Sequence, residues 1–313
     1  MRSDSTRTES SARRWLDAAG MSLAHVADRP GMWLAGALAW LTTVGWIPFV
    51  VAVMRPPTIA ELTYFGAAFT TSGLWPFNVI ALAAGTVALV VLALALASAG
   101  NAVLISSAAG VRPSTREAGQ LLTVALTGAV PVALCVLTIG VAVAAVGPAE
   151  FNRPGLDSSP LWRLLMRLAP LLVFGGAVTI AASTLAGLAG RAALRAGSVT
   201  DGLSATLDVG RSAGRAGLWH LGAAVAMGLG YLALSGLLLG VLWAPIRAGL
   251  DGGATLDLAS GLLLVGFVAI WLCLVLGGGA LHAWASATAT ILLGGRRGTS
   301  VAAGRPQEIQ LDR

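Results

Sequence analysis

Six long apolar segments constrain this chain more than any other feature. They cover about residues 32–54, 76–106, 119–147, 164–190, 216–246 and 258–293. A helix of about 20 apolar residues crosses the roughly 30 Å hydrocarbon core of a bilayer, so each segment is long enough to span it. Only 11% of the residues are charged, against about 25% in an average soluble domain. The sequence therefore predicts an all-α, polytopic integral membrane protein, a helical bundle with six transmembrane helices.

The more polar chain ends divide the sequence into three parts. We expect residues 1–31 to form a cytoplasmic N-terminal amphipathic segment, 32–294 the six-helix transmembrane domain, and 295–313 a cytoplasmic C-terminal tail. The first part lacks the apolar core of a secretory signal, so we expect no cleaved signal peptide.

The distribution of arginine predicts how the chain is oriented. All 20 basic residues are arginine, and the 40 glycines are typical of GC-rich coding, which favours a bacterial source. Placing both termini inside puts most arginines on the inner side, as the positive-inside rule requires. We expect a multi-pass protein of the bacterial cytoplasmic (inner) membrane with both termini cytoplasmic. Its expected partners are membrane lipids and either another protein or further copies of the chain, with no nucleic acid.

A short recurrence suggests an internal repeat. The stretch "GMWLAGALAW" at 31–40 returns as "GLWHLGAAVA" at 217–226. This spacing admits three helical-hairpin repeats, each opened by an amphipathic cytoplasmic helix. The candidate helices are "SARRWLDAAGMSLAHVAD", "RPSTREAGQLLTVAL" and "SVTDGLSATLDVGRSAG". The alternative is that Gly, Ala and Trp recur by chance in a chain this rich in them.

Few residues within the apolar segments can carry chemistry. All 14 Asp and Glu lie outside the central part of every predicted span, which argues against an ion-coupled pump. The remaining candidates for a pocket or a helix break are Asn101, Pro131, Arg191, His220, Gly277, Gly278, Gly279 and His282. For the proline and the glycine run, the two interpretations are a kink or close-packing surface and an opened helix that binds a ligand.

The polar candidates have simple roles open to them. Asn101 and Arg191 occupy matching places in "AGNAVL" and "AGRAAL", at the predicted inner ends of the second and fourth spans. They are expected to bond to neighbouring helix ends or lipid phosphates, the alternative being a functional pocket. His220 and His282 lack any ligand at metal-binding spacing, so we expect packing roles, no metal and no cofactor.

Catalysis is not expected. The absence of lysine removes Schiff-base and Ser-Lys chemistry. The "GRSAG" at 210–214 has the hydrolase elbow pattern but follows no predicted strand. We therefore predict no catalytic residues and no enzyme.

Paired spans preceded by "GVRPSTREAGQLLTVAL" and "GSVTDGLSATLDVGRSAGRAGLWHL" resemble the six-helix membrane domain associated with bacterial glycerophosphodiester phosphodiesterases, without the catalytic domain. The predicted function is a non-enzymatic scaffold or lipid-interacting component that serves a partner. The alternative is a transport protein, either a small permease or the membrane subunit of an ATP-driven transporter. A transporter would have a polar cavity at mid-depth, lined by Asn101, Thr179, Ser183 or the glycine run.

Overall fold

The computed structural model describes residues 2–55, 59–151, 160–251 and 258–294, and in these ranges it is helical without any strand. The predicted tail 295–313 lies outside them. The helices are α1 (Arg2–Ala27), α2 (Pro30–Trp40), α3 (Ile47–Val53), α4 (Ile59–Thr71), α5 (Phe77–Ala108), α6 (Thr115–Phe151), α7 (Pro160–Ala196), α8 (Val199–Asp251) and α9 (Leu258–Gly294).

Five stretches of these helices are long and apolar enough to cross a membrane. They are α5, α6, α7, the Gly214–Leu250 part of α8 and the Ala259–Leu293 part of α9. A sixth span results if the bent pair Pro30–Gly45 and Ile47–Val53 crosses the membrane as one unit. The prediction of a polytopic helical membrane protein is thus confirmed, while six is the upper number of spans.

The bend in the first apolar segment has a local cause. A π-helical turn over Leu41–Gly45 separates α2 from α3, and the two arms differ in direction by 47°. Pro48 lacks the N–H that would continue the helical hydrogen bonds at this point. Thr43 donates its hydroxyl to the Ala39 carbonyl at 2.8 Å, which satisfies a backbone group near the turn.

The helices meet at one end of the bundle, which we call the α1 end. It comprises the last turns of α5, α7 and α9, the first turns of α2 and α6, and α1 itself. The helices around it form a closed ring of contacts in the order α2, α5, α6, α7, α8, α9. Helix α9 in turn contacts α2. Away from this end α5 separates from its neighbours, whereas α3, α8 and α9 stay packed around Leu239, Ile246 and Phe267. Every residue of α5 from 79 to 92 is exposed, whereas the buried residues of α5 lie between Ala97 and Ser106.

Helix α1 lies across α8 and α9 rather than standing apart. Its buried residues are Ala18, Ser22 and Val26, which share one face of the helix because they lie four residues apart. Ala18 packs against Ala216 and Leu292. This face of α1 is therefore covered by protein.

The three proposed repeat units are not equivalent. The first and third candidate helices are separate from the spans that follow, the third because Gly214 breaks α8 with φ 56° and ψ −144°. The second is the beginning of α6, which runs without a break into the span that follows. It starts with a capping box in which Ser114 and Glu117 exchange side-chain to backbone hydrogen bonds.

Candidate functional site

Arg191 links α7 to α9 at the α1 end. Its Nη2 donates to the carbonyl and the hydroxyl of Ser286, both at 3.1 Å, and its Nε donates to the Thr290 hydroxyl at 3.3 Å. Its Nη1 donates to the Gly187 carbonyl at 3.0 Å. No carboxylate pairs with this guanidinium in the part of the chain that the structure describes. The positive charge is therefore held by neutral oxygens.

Asn101 and His282 form a second link, from α5 to α9. The His282 Nε2 lies 3.0 Å from the Asn101 Oδ1, and a His282 ring protonated on Nε2 donates to this amide oxygen. Both polar groups are partly buried. Next to this hydrogen bond α5 also packs closely on α2, since a β-carbon at Gly100 would lie only 2.6 Å from the Ala35 carbonyl oxygen.

Helix α1 provides a third set of links to α9. The hydroxyls of Ser22 and Thr288 are hydrogen-bonded in a buried position. The Trp284 Nε1 donates to the Ala19 carbonyl, and the Arg14 Nη2 donates to the Leu292 carbonyl, both at 3.0 Å. The last three turns of α9 are thus bonded to α1, α5 and α7 at successive positions.

His220, on α8, contacts α9 in the same region. Its ring contacts the edge of Trp284 at a centroid distance of 6.2 Å. Its Nδ1 is buried and has no hydrogen-bond partner among the described residues. Three or more potential metal ligands come together nowhere in the described ranges.

The glycine run is a close-packing surface. A β-carbon at Gly278 would overlap the Trp40 indole, one at Gly277 would overlap the Tyr231 hydroxyl, and one at Gly279 would overlap the Ala37 backbone. Helix α9 runs through all three glycines without a break.

Pro131 also lies inside a continuous helix, α6. Neither Pro131 nor the glycine run opens its helix in this structure.

A cavity of about 1050 Å³ opens at the α1 end. Three arginines line it, Arg14, Arg191 and Arg195, together with a single acid, Glu117. Apolar side chains from α5, α7, α8 and α9 form much of the remaining wall. Asn101, His282 and the glycine run are not part of this lining.

The sequence pointed to Arg191 but not to most of the side chains that lie around it. The missed residues are Arg14, Glu117, Arg195, Ser286 and Thr290. A signal for two of them existed, since Ser286 and Thr290 are polar residues one turn apart in "HAWASATATILL", on the face that carries His282 at the preceding turn.

The opposite end of the bundle holds paired charges. The buried Glu150 carboxylate accepts from Arg167 Nη1 at 2.6 Å and from Arg163 Nε at 3.3 Å. Arg55 pairs with Glu61. The Glu150 carboxylate therefore offsets one of the two positive charges beside it.

Comparison with known proteins adds no assignment. The chain matches no family model, no curated protein and no solved structure. The resemblance to the membrane domain associated with glycerophosphodiester phosphodiesterases stays a prediction.

Proposed function

We propose that this protein is a non-enzymatic, lipid-interacting scaffold of the bacterial cytoplasmic membrane, with its α1 end in the cytoplasm. The observation that carries the proposal is the closure of that end by α9. Arg191, Asn101 and Ser22 come from three different helices, and each bonds to a side chain of α9. A bundle closed in this way suits a fixed platform for a partner better than a pathway for a solute.

The charge distribution supports the orientation. The arginines of the α1 end lie on the side that the positive-inside rule favours, and at the other end the Glu150 carboxylate offsets one of the two charges of Arg163 and Arg167. The exposed apolar surface of α5 between residues 79 and 92 is the kind of surface that acyl chains cover.

A transport function is the second candidate, and one observation favours it. Helix α5 separates from its neighbours away from the α1 end, and Ser183 is exposed on α7. If water fills this separation, the closed α1 end would act as a gate. If lipid fills it, no aqueous path exists.

Cysteine accessibility separates the two functions. Ala88→Cys on α5 and Ser183→Cys on α7 would be made in a variant whose Cys135 and Cys273 are replaced by alanine. A scaffold surrounded by lipid predicts that a membrane-impermeant maleimide labels neither position in sealed vesicles of either orientation. Thr71→Cys at the end of α4 is the matched positive control. Labelling of both test positions at the rate of Thr71→Cys would reject the scaffold in favour of transport.

A further inference from the structure

We propose that the cavity at the α1 end binds the phosphate group of an anionic amphiphile. The inference rests on the proposed lipid-interacting function and gives that function a site. It is carried by the convergence of three arginines on a cavity whose wall is otherwise mostly apolar.

The size of the cavity suits such a ligand. Pockets for small ligands commonly enclose about 300–1,000 Å³, and this cavity, at about 1050 Å³, lies at the upper end of that range. Five helices and α1 contribute to its lining, so the groups that face it are held by the packing of the whole α1 end. A single mobile loop does not form it.

The charge in the cavity is unbalanced. Arg14, Arg191 and Arg195 face one acid, Glu117. That acid is already engaged, since its Oε2 accepts from the Ser106 hydroxyl and from the Ser114 N–H, both at 3.0 Å. The lining therefore attracts an anion.

The donors available to an anion are guanidinium groups. Among the described residues, Arg191 bonds through Nη1 to the Gly187 carbonyl alone, which leaves the second N–H of that nitrogen for a ligand. Arg14 donates one Nη2 hydrogen to Leu292 and keeps the others. Guanidinium groups bind phosphate through paired, charge-assisted hydrogen bonds, which suits them to this ligand better than a point charge would.

The apolar wall selects an amphiphile over a small free anion. Ile105, Leu194, Val209, Ile291 and Leu293 line the same cavity as the arginines. A phosphate ion would contact only the polar part of this lining, whereas a phospholipid would place its headgroup on the arginines and its glycerol and upper acyl groups on the apolar wall.

Native mass spectrometry of the detergent-solubilised full chain tests the inference, with phosphatidylglycerol, phosphatidylcholine or inorganic phosphate added. The wild type is expected to retain phosphatidylglycerol in preference to phosphatidylcholine. The double variant Arg14→Gln/Arg195→Gln should bind phosphatidylglycerol at least about ten-fold more weakly, because each lost charge-assisted hydrogen bond removes a tenfold or larger factor. The matched control is Arg211→Gln, an exposed arginine that pairs with Asp208 outside the cavity lining.

The arms of the experiment identify the source of the phosphate. Displacement of the lipid by millimolar inorganic phosphate, with the same loss in the double variant, would support the phosphate site and assign it to a soluble ligand. Equal retention of phosphatidylglycerol by the wild type and the double variant would overturn the site while leaving a lipid-interacting protein. Absence of any preference for phosphatidylglycerol in the wild type would overturn the site and the lipid-interacting function together. Unchanged thermal unfolding of the double variant shows that a lost lipid reflects the site and not misfolding.

Discussion

The guanidinium of Arg191 on α7 is hydrogen-bonded to the carbonyl and the side chain of Ser286 on α9, two residues far apart in the chain. Helices α7 and α9 are otherwise joined mainly through α8, which contacts both. This one side chain therefore ties two helices across the α1 end.

Replacing Arg191 by methionine should destabilise the bundle. The variant loses every hydrogen bond to Ser286 and Thr290, at an expected cost of about 1–3 kcal/mol in the free energy of unfolding. The matched control is Arg211→Met on α8, whose exposed pair with Asp208 should contribute less than about 0.5 kcal/mol to the stability. Detergent-induced unfolding of the purified protein measures both. Equal losses would show that Arg191 has no special role in packing.

The glycine run offers a second test. Gly279→Ala places a methyl group against the Ala37 backbone, which cannot move without shifting α2. We expect a loss of about 1–3 kcal/mol, as for other overpacked sites. Gly266→Ala on the same helix is the control, because a β-carbon there meets no atom within 4 Å. A Gly279→Ala protein as stable as the Gly266→Ala protein would mean that α2 and α9 are further apart than described.

The break in α8 depends on Gly214. Its φ of 56° and ψ of −144° lie in a region that is open to glycine and closed to other residues. Gly214→Ala should therefore cost about 1 kcal/mol or more, whereas Gly210→Ala, in the same helix, should be neutral or stabilising because alanine favours the helical backbone. Thermal unfolding monitored by circular dichroism compares the two variants. The prediction fails if Gly214→Ala is the more stable one.

The sequence predicted the helices better than their contacts. The apolar segment 76–106 became α5 (Phe77–Ala108) and 258–293 became α9 (Leu258–Gly294), because length and hydropathy are local properties. The sequence did not predict the bend after Trp40. This bend combines a π-helical turn with a close contact between the Trp40 indole and Gly278. That contact joins residues far apart in the chain, which no periodicity reveals.

In the site too, some residues could be predicted from the sequence, whereas their contacts could not. The matching positions of Asn101 and Arg191 suggested bonds to neighbouring helix ends, and both side chains do reach α9. Their partners, His282 and Ser286, could not be chosen from the sequence, because the rotation of α9 against α5 and α7 determines which face it presents. The cavity with Arg14 was missed for the same reason, since it forms only when α1 lies across α9.

The pair of Asn101 and His282 should behave as a coupled unit. Asn101→Leu or His282→Leu alone leaves one polar group without its partner, at an expected cost of about 1–3 kcal/mol each. The double variant removes both groups, so its loss should be smaller than the sum by about 0.5–3 kcal/mol. A double-mutant cycle of detergent unfolding measures this coupling. Strict additivity would show that the 3.0 Å contact carries no energy.

The placement of the two chain ends tests the central claim most directly. If the bent pair Pro30–Gly45 and Ile47–Val53 is one span, the chain crosses the membrane six times and both ends lie on the same side, which is the cytoplasm in the proposed orientation. Green fluorescent protein, which fluoresces only when it folds in the cytoplasm, and alkaline phosphatase, which is active only outside it, would each be fused to either end. The six-span topology predicts that green fluorescent protein fused to either end is fluorescent and that alkaline phosphatase fused to either end is inactive. An active phosphatase at one end would contradict it, because the bent pair would then be re-entrant and the arginine-rich α1 end would no longer share one side with both termini.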